Sequence, residues 1–162
     1  MSTRRSFLVV MTAALAGAAA GSMGALAEVR AVAQAMTPIG TERLGLKGYD
    51  PVAYFTLSRP TPGSTQHEYV YDGVRYRFVN AQHLAMFKAN PDKYAPQFGG
   101  SCTMNMSAGV RREADPTVWV ISNGNLYVFA GPGGAERFRQ NPEVAVSRAT
   151  ENWKTLKNTP SQ

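Results

Sequence analysis

Apolar and polar side chains alternate along residues 67–79. Tyr69 and Tyr71, then Val74, Tyr76 and Phe78, are interleaved with polar positions, the period of a strand with one buried face. Asp72-Gly73 separates the two runs. Both positions of a tight hairpin turn take positive φ, which Asp and Gly tolerate, so the spacing predicts a β-hairpin. Asn123-Gly124, between the apolar runs 119–121 and 126–129, predicts a second. A run rich in Val, Tyr and Phe at residues 51–57 is expected as a further short strand. The period changes after Asn80. Asn80 is placed as an N-cap for a helix over residues 81–89, with Leu84, Met86 and Phe87 as its apolar stripe. Asn90-Pro91 ends that helix and opens one more turn through Tyr94. Gly99-Gly100 breaks the chain before residues 101–107, expected to be extended or looped. Residues 59–64 and 131–134 are expected as loops. Asn141 as cap and Pro142 at the first position open a last helix to about residue 157, with Val144, Ala145, Arg148, Asn152 and Trp153 indicating how it packs. No internal repeat is evident. The expected class is α+β, a small antiparallel sheet of hairpins packed with helices.

The first thirty-five residues read differently. Ser2-Thr3-Arg4-Arg5-Ser6-Phe7-Leu8 runs into an apolar stretch, residues 7–20, broken only by Thr12. A charged head, an apolar run and then small residues make a signal peptide, and the paired arginines match the twin-arginine export pattern. A Sec signal or a retained anchor over residues 7–27 are the alternatives, although Ala and Gly insert poorly. Small-x-small cleavage sites fall after Ala27 and after Ala35. A periplasmic location follows, with one domain over residues 36–162 and no membrane span once the signal is cut.

Composition narrows the chemistry. The 162 residues carry 17 Lys+Arg against 11 Asp+Glu, a balance of +6 that falls to +4 after either cut. No Lys/Arg cluster accompanies it, so nucleic acid is not expected as a partner. A single cysteine excludes an internal disulfide, and two histidines exclude a three-histidine zinc centre. No phosphate loop, dinucleotide fingerprint or haem-attachment motif is present. A Ser-His-Asp set is not expected, because no carboxylate partner for either histidine is indicated. His67 is expected to be exposed.

Two stretches carry a resemblance. One is Gly48-Tyr49-Asp50-Pro51-Val52-Ala53-Tyr54-Phe55. The other runs from Tyr76-Arg77-Phe78-Val79-Asn80 through His83 and Phe87 to Asn90-Pro91, and on to Gln97-Phe98-Gly99-Gly100-Ser101-Cys102. Together they resemble the YHS domain family, in particular its exported single-domain members known as YHS domain-containing (seleno)proteins. The resemblance covers residues 46–153. Shorter YHS domains look like soft-metal modules with three cysteines. Here those cysteines fall on Ala53, Val79 and His83, so two are absent and one is an imidazole. Where the exported branch has Tyr and Val after its cysteine, this chain has Met104 and Met106.

The candidate metal ligands are therefore Cys102, Met104, His83 and Met106, and copper is the candidate ion. Thiolate and thioether are soft donors suited to Cu(I). In a strand, Cys102, Met104 and Met106 would share one face. Core packing by the methionines is the structural alternative. Two further readings stand beside the metal. Cys102 could be a redox-active thiol, since two glycines leave its backbone open. Tyr49, Asp50, Tyr54, Tyr76 and Tyr94 could surround a small-ligand or partner site, with Asp50 alternatively capping a turn. The expected function is a periplasmic binding protein for a metal ion or small ligand, leaning away from catalysis.

Overall fold

A computed structural model describes residues 42–161. The expected export signal, both cleavage points and the start of the expected domain lie outside the described residues. The class is α+β as expected. Its elements are β1 (Arg43–Leu44), α1 (Ala53–Thr56), β2 (Ser64–Tyr71), β3 (Val74–Phe78), α2 (Ala81–Ala89), α3 (Pro91–Tyr94), α4 (Thr103–Ser107), β4 (Asp115–Ser122), β5 (Asn125–Phe129), α5 (Pro132–Gln140) and α6 (Pro142–Leu156). Strands β2 and β3 pair antiparallel and β1 joins β3 in parallel, giving the order β1-β3-β2. Strands β4 and β5 form a separate antiparallel pair.

Both hairpins turn where the dipeptides require. Asp72 and Gly73 have φ of 48° and 68°, Asn123 and Gly124 of 50° and 75°. Asn80 and Asn141 each cap a helix through the side-chain oxygen, as expected. Three expectations fail. Residues 53–56 are helical rather than extended, because the Asp50 carboxylate caps their first amides. Residues 103–107, expected to be extended or looped, form the helix α4. The loop placed at 131–134 holds the first turn of α5, which begins at Pro132 despite Gly133 and Gly134.

A fourth difference is larger. The chain folds as two copies of one supersecondary unit. Each copy opens with a tight left-handed turn, Leu46, Lys47 and Gly48 in one and Phe98, Gly99 and Gly100 in the other, all at positive φ. Each turn closes through an amide three residues on, Tyr49 to the Leu46 carbonyl and Ser101 to the Phe98 carbonyl, both 3.0 Å. A short helix, a hairpin, a nine-residue helix and an Asn-Pro junction follow in both. Asp72 and Asn123 stand 51 positions apart, and so do the strands of the two hairpins. The register breaks coincide, between Ser64 and Glu68 in β2 and between Asp115 and Trp119 in β4. Asn90 and Asn141 share one backbone conformation, φ −152°, ψ 74° and φ −151°, ψ 72°.

The two cores repeat as well. Phe87 of α2 packs on Phe78 and Tyr76, with ring centroids at 5.1 and 5.2 Å. Phe138 of α5 packs on Phe129 and Tyr127 at 5.2 and 4.9 Å. Burial pushes the phenols of Tyr76 and Tyr127 above their ordinary value. One aromatic helix residue therefore nails each hairpin to its helix. Phe87→Ala and Phe138→Ala should each cost about 3–5 kcal/mol in urea denaturation, and a loss below about 1 kcal/mol from either would contradict their equivalence.

Candidate functional site

The sequence resemblance runs through Asp50, and the structure makes that side chain a hub. Asp50 is fully buried. Its Oδ1 accepts the amides of Val52 (2.8 Å) and Ala53 (3.3 Å). Its Oδ2 accepts the Val79 amide at 2.8 Å and His83 Nδ1 at 2.6 Å. The turn-capping role expected of Asp50 is present, and a second role is added. His83, held at the start of α2 by the Asn80 cap, does have a carboxylate partner, contrary to expectation. The two are 33 residues apart, and no periodicity could have joined them.

The Thr56 hydroxyl lies 3.3 Å from His83 Nε2, completing a carboxylate, imidazole and hydroxyl in series. An activated nucleophile gives its proton to the imidazole. The Thr56 hydroxyl instead donates to the Val52 carbonyl at 3.0 Å, a bond internal to its own helix. The series joins α1 to the start of α2 and holds no free nucleophile. The tyrosines that could have surrounded a ligand serve the core. Tyr54 donates to the Pro116 carbonyl at 2.8 Å, and burial raises its phenol. Tyr94 is buried edge-on against Phe55. His67 is half-buried in β2 rather than exposed.

Cys102 occupies the second copy's equivalent of Asp50. The Cys102 amide donates to the Arg112 carbonyl at 2.8 Å, as the Asp50 amide donates to Thr61 at 2.9 Å. Cys102 is 1% exposed and belongs to a core cluster with Tyr54, Leu126 and Val128. Gly134 stands where His83 would recur, and the space beside it is taken by Phe129 and Met104, whose Cγ lies 3.9 Å from a Cβ built on that glycine. A hydrogen-bonded carboxylate and imidazole in one copy is thus an apolar contact in the other. Met106 is fully buried and Met104 partly so, both against the Cys102 cluster. The extended geometry expected for the trio is replaced by helix, in which Met104 and Met106 point roughly 200° apart. Cys102 and Met106, four residues apart, lie on one side. The structure brings the three sulfurs to one cluster and gives both ring nitrogens of His83 to other partners. Among the described residues no group of three or more His, Cys, Asp or Glu could hold an ion.

A cleft missed in the sequence lies in the second copy. It measures about 590 Å³ and is lined by residues 117–121 of β4 and by Pro132, Ala135 and Arg139 of α5. The unbroken apolar run 118–121, where an alternating strand would place polar residues, was the signal for it. Among the described residues no helix is long and apolar enough to cross a membrane. No family model matches the chain, and no curated protein or solved structure matches it either.

Removing the Asp50 carboxylate leaves three amides and an imidazole without an acceptor. Asp50→Ala should lose about 3–5 kcal/mol by urea denaturation, and a loss under about 1 kcal/mol would show that the hub is dispensable. The Cys102 thiol should react with a disulfide reagent only on unfolding. Reaction of the native protein at the rate of a free thiol would contradict its burial.

Proposed function

We propose that this chain is an exported, non-catalytic binding module whose ligand seats in the cleft between β4 and α5. One observation carries the reading. The cleft is an open groove of about 590 Å³ lined by Val118, Trp119, Val120 and Ile121, with Arg139 as its charged member. The chemistry-bearing groups elsewhere have structural partners: Asp50 with His83, and Thr56 with Val52. The twin-arginine pattern and the resemblance to exported YHS proteins support a periplasmic location, and the mild charge disfavours nucleic acid. Redox chemistry needs a solvent-reachable sulfur, and Cys102 is buried.

A soft metal is the second reading. It is favoured by Cys102 and Met106 standing one helical turn apart in one cluster. A Cu(I) ion there would have two sulfur donors in an apolar surround.

One pair of titrations separates the two. The intact chain should bind 1-anilinonaphthalene-8-sulfonate with energy transfer from Trp119, and Ala135→Leu should weaken binding about tenfold while Cys102→Ser leaves it unchanged. No saturable binding by the native chain overturns the cleft reading. One equivalent of Cu(I) bound against a competing chelator, and lost in Cys102→Ser, supports the metal instead.

A further inference from the structure

Successive side chains of a strand point to opposite faces, so a pocket on one face is lined by every second residue. Beyond the register break, this cleft is lined by the consecutive residues Trp119, Val120 and Ile121 of β4, and therefore runs along the strand's edge. Strand β4 pairs with β5 on one side and has no other strand beside it among the described residues. Helix α5 forms the far wall through Pro132, Ala135 and Arg139, which lie on one helical face.

The first copy has the same architecture with larger and charged side chains at the equivalent positions. Leu84 stands at the position of Ala135. Lys88, the counterpart of Arg139, lies 5.1 Å over the ring of Tyr69. Glu68, the counterpart of Trp119, is paired with Arg77 at 2.8 Å. Charges of that kind keep an edge strand from accepting another chain. In the second copy the leucine has become alanine and residues 118–121 are uncharged. One scaffold thus carries a charged edge and an uncharged one.

We infer that the open edge of β4 takes an extended peptide as an added strand, with an acidic residue of that peptide meeting Arg139. This rests on the cleft reading above. Main-chain hydrogen bonds to β4 supply the attachment, and alternate apolar side chains lie over Ala135, which forms the buried floor of the cleft. The carboxylate follows from charge. Arg139 is the one charged side chain of the lining, and its contact with Glu136, at 3.6 Å, is exposed and competes weakly. A second copy of the chain fits worse. The two-fold that pairs antiparallel edges would bring its own α5 to the same sheet face, setting Arg139 toward its like.

The test uses the intact chain and fluorescein-labelled hexapeptides of alternating Thr and Val, with Glu at either end. Fluorescence polarisation should show saturable binding by at least one of them. Methylating alternate amides gives two sets, of which only one removes the N–H groups facing β4. One set should lose binding about tenfold or more while the other retains it. Ala135→Leu, which installs the first copy's residue, should weaken binding by about tenfold, and Arg139→Glu should reverse the preference from Glu to Lys peptides. Equal binding of both methylated sets, or no charge reversal, overturns strand addition. Saturable anilinonaphthalene sulfonate binding without peptide binding overturns the peptide and leaves the cleft reading standing. A dimer in sedimentation that Ala135→Leu dissolves overturns it in favour of a second copy.

Discussion

A single buried carboxylate organises the first half of this fold. Four donors converge on Asp50, from the start of α1, the end of β3 and the first turn of α2. A charge taken out of water is costly unless it is fully paired, so the three segments must reach their places together for any of them to be stable there. Left-handed backbone at Leu46 and Lys47 feeds the chain into this arrangement. Residues other than glycine disfavour that conformation, and the turn is held in it by the buried Leu46 side chain and the Tyr49 amide.

The second half shows what the same backbone does without the charge. Cys102 replaces the carboxylate, Gly134 the imidazole, and Met104 fills the remaining space. The geometry survives because the aromatic stack is conserved between halves, Phe138 on Tyr127 and Phe129 repeating Phe87 on Tyr76 and Phe78. Backbone architecture here is set by turns and aromatic packing. The buried polar position is free to vary, and variation at the neighbouring helix face opens the cleft along β4.

Much of the fold was legible in the sequence. Asp72-Gly73, Asn123-Gly124, Asn80, Asn90-Pro91 and Asn141-Pro142 act through local backbone preference, and each did what local preference dictates. Helix α1 was hidden because Val52, Tyr54 and Phe55 favour a strand in isolation, while the cap that overrides them comes from Asp50. Helix α5 was hidden behind Gly133 and Gly134, poor helix formers tolerated behind Pro132. The duplication is not legible in the sequence because few residue types are kept across it. Its trace is a handful of turn dipeptides and aromatics repeating at 51 positions. The Asp50–His83 pair is a tertiary contact between segments with no shared period. For Cys102 and its methionines, the residues were identifiable but their geometry depended on α4 being helical.

The duplication has a consequence for assembly. Two halves with the same turn, hairpin and helix offer each other near-equivalent docking templates. During folding at high concentration, a first half can meet the second half of a neighbouring molecule, since the chain passes from one half to the other through the short stretch at Ala95 and Pro96. Reciprocal exchange of halves between chains is the characteristic misassembly of such architectures. The unlike chemistry at the two equivalent buried positions, a hydrogen-bonded carboxylate and imidazole in one and sulfur in the other, distinguishes the halves, so exchange pairs a first half with a second rather than with its like.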